Sequence, residues 1–413
     1  MSDRELARLN QTVCGLEGMA SLLARTPGDF AVVIHGPADC AGLLLQGMDQ
    51  PGSERFFCTH LEEADLVSGR AGQRLGRCLE VVSRELAPGV VFVLGTCGSA
   101  LIGDDLKGAL AKAARATPVP LISPHAGGMG WISQSALLDR FGLLMLEACA
   151  ARPQERTPRC VNLIGFEPGA ELRRVLSGQA LEVNAVLGPG AAWSDWARMG
   201  RASHNLSIDP ELFGGTLAQA ERRLGQRTLC VPAPVGFAGS LAFLAALEAE
   251  WPAPGDHPWP RPSPPALLAT ARARLSGRRL GYNVGSTKNL EARTLALEGL
   301  GDLAAFQELG LEVVLLVQGD DRPARLEAVR RTLSRLGCGA PLAVFADTVQ
   351  FGALCREQGV ELVYAADHLR SRLDGCGAAF LPLGCLRPGL CGVEPNLRAM
   401  LAAVDPPTEV TAP

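Results

Sequence analysis

Short apolar runs, each followed by a glycine- or proline-marked turn and then an amphipathic stretch, recur along this chain. Phe30 to His35 (FAVVIH), Val90 to Leu94 (VVFVL) and Val119 to Ser123 (VPLIS) are almost wholly apolar. A strand with no polar face is covered on both sides. Between these runs, Ala71 to Leu86 and Asp105 to Ala116 carry helical spacing. Buried strands alternating with amphipathic helices predict a parallel sheet with helices on both faces. The pattern then repeats with strands at Cys160 to Gly165, Glu182 to Leu187 and Arg227 to Val231, and helices at Ala170 to Ser177, Gly215 to Leu224 and Ser240 to Glu250. Trp251 to Pro265 holds seven prolines in fifteen residues, too many for a helix or a central strand, and reads as a linker.

A third round follows. Strands are expected at Arg279 to Val284, Leu311 to Val317, Leu342 to Phe345, Leu362 to Tyr364 and Ala378 to Leu383. Helices are expected at Leu290 to Leu309, Arg322 to Leu336 and Val349 to Glu357. The expected fold class is α/β, with three Rossmann-like parallel-sheet domains. Their ranges are 1–150, 151–265 (ending in the linker) and 266–405, with 406–413 as a tail. No G-x-G-x-x-G follows the first strand of any unit and no G-x-x-x-x-G-K-[ST] occurs, so no nucleotide site is read from the motifs.

Several function classes drop out on composition. A formal net charge of −4 leaves no basic excess for phosphates, so nucleic acid is not an expected partner. No run of about 18 apolar residues is present, so no membrane span is expected. The opening MSDRELARLNQ is polar, and the expected location is cytoplasmic. Thirteen cysteines, an odd number without a Cys-x-x-Cys pair, do not suit a disulfide framework in that compartment.

Three of these cysteines stand where packing does not call for them. Cys14 (TVCGLEG) precedes the first helix, Cys40 (IHGPADC) follows the carboxyl end of the first strand, and Cys97 (LGTCGSALIGDDL) follows that of the next. All three read as loop positions. Ligands of open α/β sheets gather outside strand carboxyl ends. Gly15, Gly36, Pro37, Gly95 and Gly98 flank the thiols, and glycine lets backbone N–H groups approach a bulky object. That setting suits an iron–sulfur cluster.

The order Cys14, HGPADC ending at Cys40, and TCGSALIGDDL from Thr96 resembles the nitrogenase component 1 family. That family includes the nitrogenase catalytic subunits, their cofactor-assembly scaffold, and the dark protochlorophyllide and chlorophyllide reductase subunits. The segments THLEEADLVSG (Thr59 to Gly69), PAPVGFAGSLAFL (Pro232 to Leu244) and CGVEPNLRAML (Cys391 to Leu401) extend the likeness over nearly the whole chain. The resemblance implies three α/β domains. It also implies a [4Fe–4S] or larger P-cluster-like centre on Cys14, Cys40 and Cys97, at an interface with a homologous sister subunit. Three thiolates are one short of the usual four; the partner chain or a nearby residue such as Cys58 would supply the last, although Cys58 reads first as a buried strand cysteine.

The likeness also departs. The family's catalytic subunits hold a large cofactor with a second-domain cysteine and a C-terminal histidine. Ser203 to Leu212 (SHNLSIDPEL) has no cysteine, and Cys391 stands at about the histidine's place, which marks it as the candidate ligand of a second metallocofactor, with Cys385 in reserve. Cys376, Cys385 and Cys391 otherwise form a small-residue turn. Cys78, Cys149, Cys160, Cys230, Cys338 and Cys355 read as packing. His35 reads first as a packed histidine bonded to backbone and otherwise as one that hydrogen-bonds the cluster's surroundings; at least one of Asp104 and Asp105 reads as a helix cap, with a surface where a reductase docks as the alternative; and His125 reads as a residue of a pocket or a plain loop.

The leading expectation is an oxidoreductase subunit that relays electrons from an ATP-dependent iron–sulfur reductase to a substrate or metallocofactor. The alternatives are a non-catalytic scaffold for metallocofactor assembly, a tetrapyrrole reductase subunit, and an α/β protein without metal.

Overall fold

The computed structural model describes residues 13–46, 52–101, 103–124, 131–132, 134–152, 154–208, 213–253, 257–286, 300–318, 330, 333–334 and 337–404. The chain divides into two compact units. One takes in residues 1–165, 184–205 and 213–228, and the other 166–183, 206–212 and 229–413.

The first sheet lies in the first unit. Its elements run β1 (Val13–Cys14), α1 (Gly15–Arg25), β2 (Ala31–His35), α2 (Ala38–Gln46), β3 (Phe56–Cys58), α3 (Glu63–Val67), α4 (Ala71–Leu86), β4 (Val91–Gly95), α5 (Cys97–Leu101), α6 (Leu106–Ala113), β5 (Leu121–Ile122), β6 (Trp131–Ile132) and α7 (Gln134–Ala150). Strands β3-β2-β4-β5 form a parallel sheet in that order, and β1 pairs antiparallel with β6 in a separate two-stranded ribbon. Every residue of β2 is buried, and all but His35 are apolar, as a strand covered on both faces requires. On α4, Leu75, Leu79 and Val82 fall on one face and pack on Ala31, Val33, Val91 and Val93.

The second sheet follows with β7 (Thr157–Ile164), α8 (Ala170–Gly178), β8 (Glu182–Leu187), α9 (Trp193–Ala197), β9 (Ala202–Ser207), α10 (Gly214–Leu224), β10 (Arg227–Cys230) and α11 (Gly236–Glu250). The strand order is β10-β9-β7-β8. Buried amides cross it in the same order. Asn205 donates to Gln226 Oε1 (3.1 Å), Asn162 to Asn205 Oδ1 (2.9 Å), and Asn184 to Asn162 Oδ1 (2.8 Å). The spare amide hydrogens go to main-chain carbonyls of Met199, Arg198 and Ala202.

The third sheet belongs to the second unit: α12 (Ala266–Leu275), β11 (Arg279–Ser286), α13 (Leu303–Gln307), β12 (Glu312–Gln318), β13 (Leu342–Phe345), α14 (Thr348–Glu357), β14 (Leu362–Ala365), β15 (Ala379–Pro382) and α15 (Leu390–Val404). Its order is β13-β12-β11-β14-β15, all parallel, so the winding reverses between β11 and β14. His125, the first half of the expected helix at 290–309, most of that at 322–336, and the tail 406–413 lie outside the described residues. Among the described residues, no helix is long and apolar enough to cross a membrane.

Beside that winding reversal, Tyr364 Oη donates to Asp302 Oδ2 (2.5 Å) and accepts from Gly384 N–H (2.8 Å). Burial raises the Asp302 carboxyl to about 6, against the opposing pull of the Tyr364 hydrogen bond, from an ordinary value of 3.8. A carboxyl raised on folding binds more protons in the folded state. Its stabilising contribution is therefore full below pH 3.8 and is lost as pH rises through about 6. Asp302→Asn keeps an acceptor for Tyr364 and is expected to remove this dependence, gaining on the order of 2 kcal/mol over wild type at pH 7 but not at pH 4. Urea unfolding of both proteins at the two pH values checks it; a gain of equal size at both would refute it.

Candidate metal centre

Cys14 ends β1 and occupies the N-cap of α1, Cys40 is the third residue of α2, and Cys97 is the first residue of α5. The loop positions expected for them are corrected: each thiol sits where the chain turns from strand into helix. Helices of nine and five residues are too short to show a hydrophobic period, which is why glycine and proline alone were legible there.

The parallel register makes the strand ends level. His35 lies opposite Gly95, and Ile34 opposite Cys58. Cys40, Cys58 and Cys97 thus leave one edge of the sheet. Gly36 brings the turns together, because a Cβ there would collide with the Thr96 side chain. The Cys40 thiol is pushed up, first by burial and then by the charges that Cys97, Cys14, Asp39 and Cys58 would carry. Cys40 is therefore within electrostatic reach of three other thiols. Burial and these neighbours together disfavour the Cys40 thiolate, and a cationic metal centre is what would relieve that. This donor set fits an iron–sulfur cluster. Among the described residues, no three His, Cys, Asp or Glu side chains are placed to hold a single metal ion. A cluster spreads its thiolates over several irons, so it does not require so tight a group.

Cys58 is half-buried rather than buried. Its thiol donates to Gly36 O (3.5 Å) and accepts from His60 N–H (3.3 Å), so it rests against the loop leading to Cys40. It shares a cavity of about 610 Å³ with Cys78. Cys78 is half-buried too, and burial followed by the charge of Cys58 raises it to about 11.

His35 is fully buried and bonds side chains, not backbone. Nε2 lies 2.7 Å from Asp104 Oδ2, and Nδ1 3.1 Å from Thr59 Oγ1. Burial holds its imidazole below the usual range against the pull of Asp104. Of the two aspartates, Asp105 caps α6 by accepting from Gly108 N–H (2.9 Å). Asp104 serves His35.

At the C-terminal end of the described chain, Cys376 packs on the core of the third sheet, while Cys385 and Cys391 are exposed. Cys391 is the second residue of α15, and its N–H donates to Glu171 Oε2 (2.8 Å). A hydrogen bond to Glu171 is the main reason its thiol is pushed up. Nothing in the local sequence links Glu171 to Cys391, which lies 220 residues further on. Burial, then Asp302 and Asp367, push Cys385 up. None of the thirteen cysteines is in a disulfide. Cys149, Cys160, Cys338 and Cys355 are buried as expected, but Cys230, at the end of β10, is exposed, which corrects its reading as core.

The first sheet is parallel, and Cys40, Cys58 and Cys97 leave one edge of it. The chain belongs to the nitrogenase component 1 type oxidoreductase family, whose profile matches residues 14–384. It is 28% identical over 332 residues to the nitrogenase iron-molybdenum cofactor biosynthesis protein NifE of Nostoc sp., across 73% of this chain and 64% of that protein. It is 29% identical to the NifE of Rhodobacter capsulatus, across 73% and 65%. These matches span less than two thirds of the relatives' length. A solved structure titled nitrogenase Cp1 at pH 6.5 superposes with a TM-score of 0.63 at 14% identity, over 98% of this chain and 91% of that one, which shows a shared fold.

Proposed function

We propose that this chain is a scaffold subunit on which a nitrogenase-type metallocofactor is matured, with an iron–sulfur cluster held by Cys14, Cys40 and Cys97. The observation that carries the cluster is the level register by which Cys40, Cys58 and Cys97 leave one edge of the first sheet, with Cys14 within electrostatic reach of Cys40. When bound, the cluster would supply one-electron redox chemistry. The chain's own part is to hold the thiols where strands turn into helices. Relatives named for cofactor biosynthesis, and the lack of a cysteine in Ser203 to Leu212, where the catalytic subunits' cofactor ligand is expected, favour the scaffold over the electron-relaying enzyme expected first. The division at 1–150, 151–265 and 266–405 is part of the proposal.

The relay is the second reading. It is favoured by the family description and by Val67 and Leu101, which are 84% and 87% exposed on the helices that follow β3 and β4. Apolar side chains so exposed near the cysteines suit a docked partner. The proposed partners are a sister subunit and an ATP-dependent iron–sulfur reductase.

Cys391 separates the two readings. On a scaffold, Cys391 would hold the maturing metal group, with Glu171 beside it. Anaerobically purified protein, as a hetero-oligomer with its sister subunit, is expected to carry iron beyond the first cluster. Cys391→Ser is expected to lose that excess while the first cluster's spectrum stays. An iron count and spectrum unmoved by the substitution would reject the scaffold and leave the relay.

A further inference from the structure

We propose that His35 is the positioning residue of the cysteine centre, tying together through Thr59 and Asp104 the turns from which Cys40, Cys58 and Cys97 depart. The proposal rests on the iron–sulfur reading of that centre.

His35 closes the otherwise aliphatic strand Ala31–His35, and its side chain is wholly buried. An aliphatic residue would extend that strand with less desolvation. The imidazole instead spends each nitrogen on a different segment. Nε2–H donates to Asp104 Oδ2 (2.7 Å), and Nδ1 accepts from the Thr59 hydroxyl (3.1 Å). A neutral imidazole has one donor and one acceptor, and this pair of partners uses both.

Each partner is fastened in turn to a cysteine-bearing turn. Thr59 Oγ1 accepts from Gly36 N–H (3.1 Å), at the start of the loop that leads to Cys40. Thr59 also directly follows Cys58, and its N–H donates to Ile34 O (3.0 Å). On the other side, Asp104 N–H donates to Ser99 O (3.1 Å), and Ser99 Oγ donates to Thr96 O (2.8 Å), which encloses Cys97. Thr96 N–H returns to His35 O (3.1 Å) and closes the ring of bonds. The imidazole touches none of the thiols. It sets the spacing of the backbone that carries them, as groups beyond the ligands do in metal sites.

The test uses His35→Leu, His35→Gln and Asp104→Ala in the full chain with its sister subunit, each confirmed as folded by circular dichroism. The first readout is the rate at which a chelator strips iron, together with the electron paramagnetic resonance spectrum of the reduced protein. Loss about tenfold faster than wild type and a broadened signal are expected for His35→Leu and Asp104→Ala. His35→Gln can still reach Asp104 and is expected to fall between. The second readout needs no cluster: bridging of Cys40 to Cys97 by a trivalent phenylarsenical in metal-free protein, expected to drop in the same order. Wild-type stripping rates, spectra and bridging yields in all three variants would overturn the proposal while leaving the cluster in place. A wild type that binds no iron, with bridging still lost in His35→Leu, would remove the cluster reading and keep the positioning role. Should His35→Leu fail to fold, Asp104→Ala and Thr59→Val carry the same comparison.

Discussion

Cys40→Ala is expected to strip the anaerobically purified protein of most of its iron and inorganic sulfide, and of its brown colour. Cys40 leaves the same sheet edge as Cys97 and Cys58, and after burial the charges that Cys97, Cys14 and Cys58 would carry push its thiol up. A cluster of about four irons held by three protein thiolates and one further ligand has little redundancy. If Cys40 is one of the cluster's ligands, its removal would leave at least one iron without protein support. Cys230→Ala is the control, because that residue lies at the end of β10, in the second sheet, and is exposed. Iron and sulfide analysis with visible absorption reads the result. A wild type that is colourless, metal-free and fully stable would defeat the cluster itself.

Asn162→Leu is expected to destabilise the protein by roughly 3 kcal/mol, the largest stability effect anticipated here. Leucine keeps asparagine's branched side-chain skeleton of four heavy atoms, so the loss does not come from a cavity. It comes from the middle of the amide row. Asn162 is fully buried, donates to Asn205 and to Met199 O, and accepts from Asn184. Replacing it leaves the Asn205 carbonyl without that donor and takes one acceptor from the Asn184 amide, deep under the sheet. Buried polar groups left unmatched carry their full desolvation cost. The urea midpoint should fall at unchanged slope. A loss below about 1 kcal/mol would show that water or repacking satisfies the freed groups.

The alternation of wholly apolar strands with amphipathic helices was readable because burial on both faces leaves no other arrangement for such strands. Helix Ala71–Leu86 and strands Glu182–Leu187 and Leu342–Phe345 have the bounds expected from spacing alone. Cys14, Cys40 and Cys97 could be singled out because strand ends and flanking glycines are local signals. Short helices after a turn carry no period, so α2 and α5 have no signature in the sequence, and Cys40 and Cys97 look like loop residues there just as Cys14 does. What brings those thiols to one edge is the register of β2, β3 and β4, which pairs residues far apart in the chain. Tertiary structure alone joined His35 to Asp104, the four buried amides to one another, and Cys391 to Glu171. A polar side chain gives no sign in sequence of which distant partner will satisfy it. That choice is made by packing, which brings groups together before their hydrogen bonds can form.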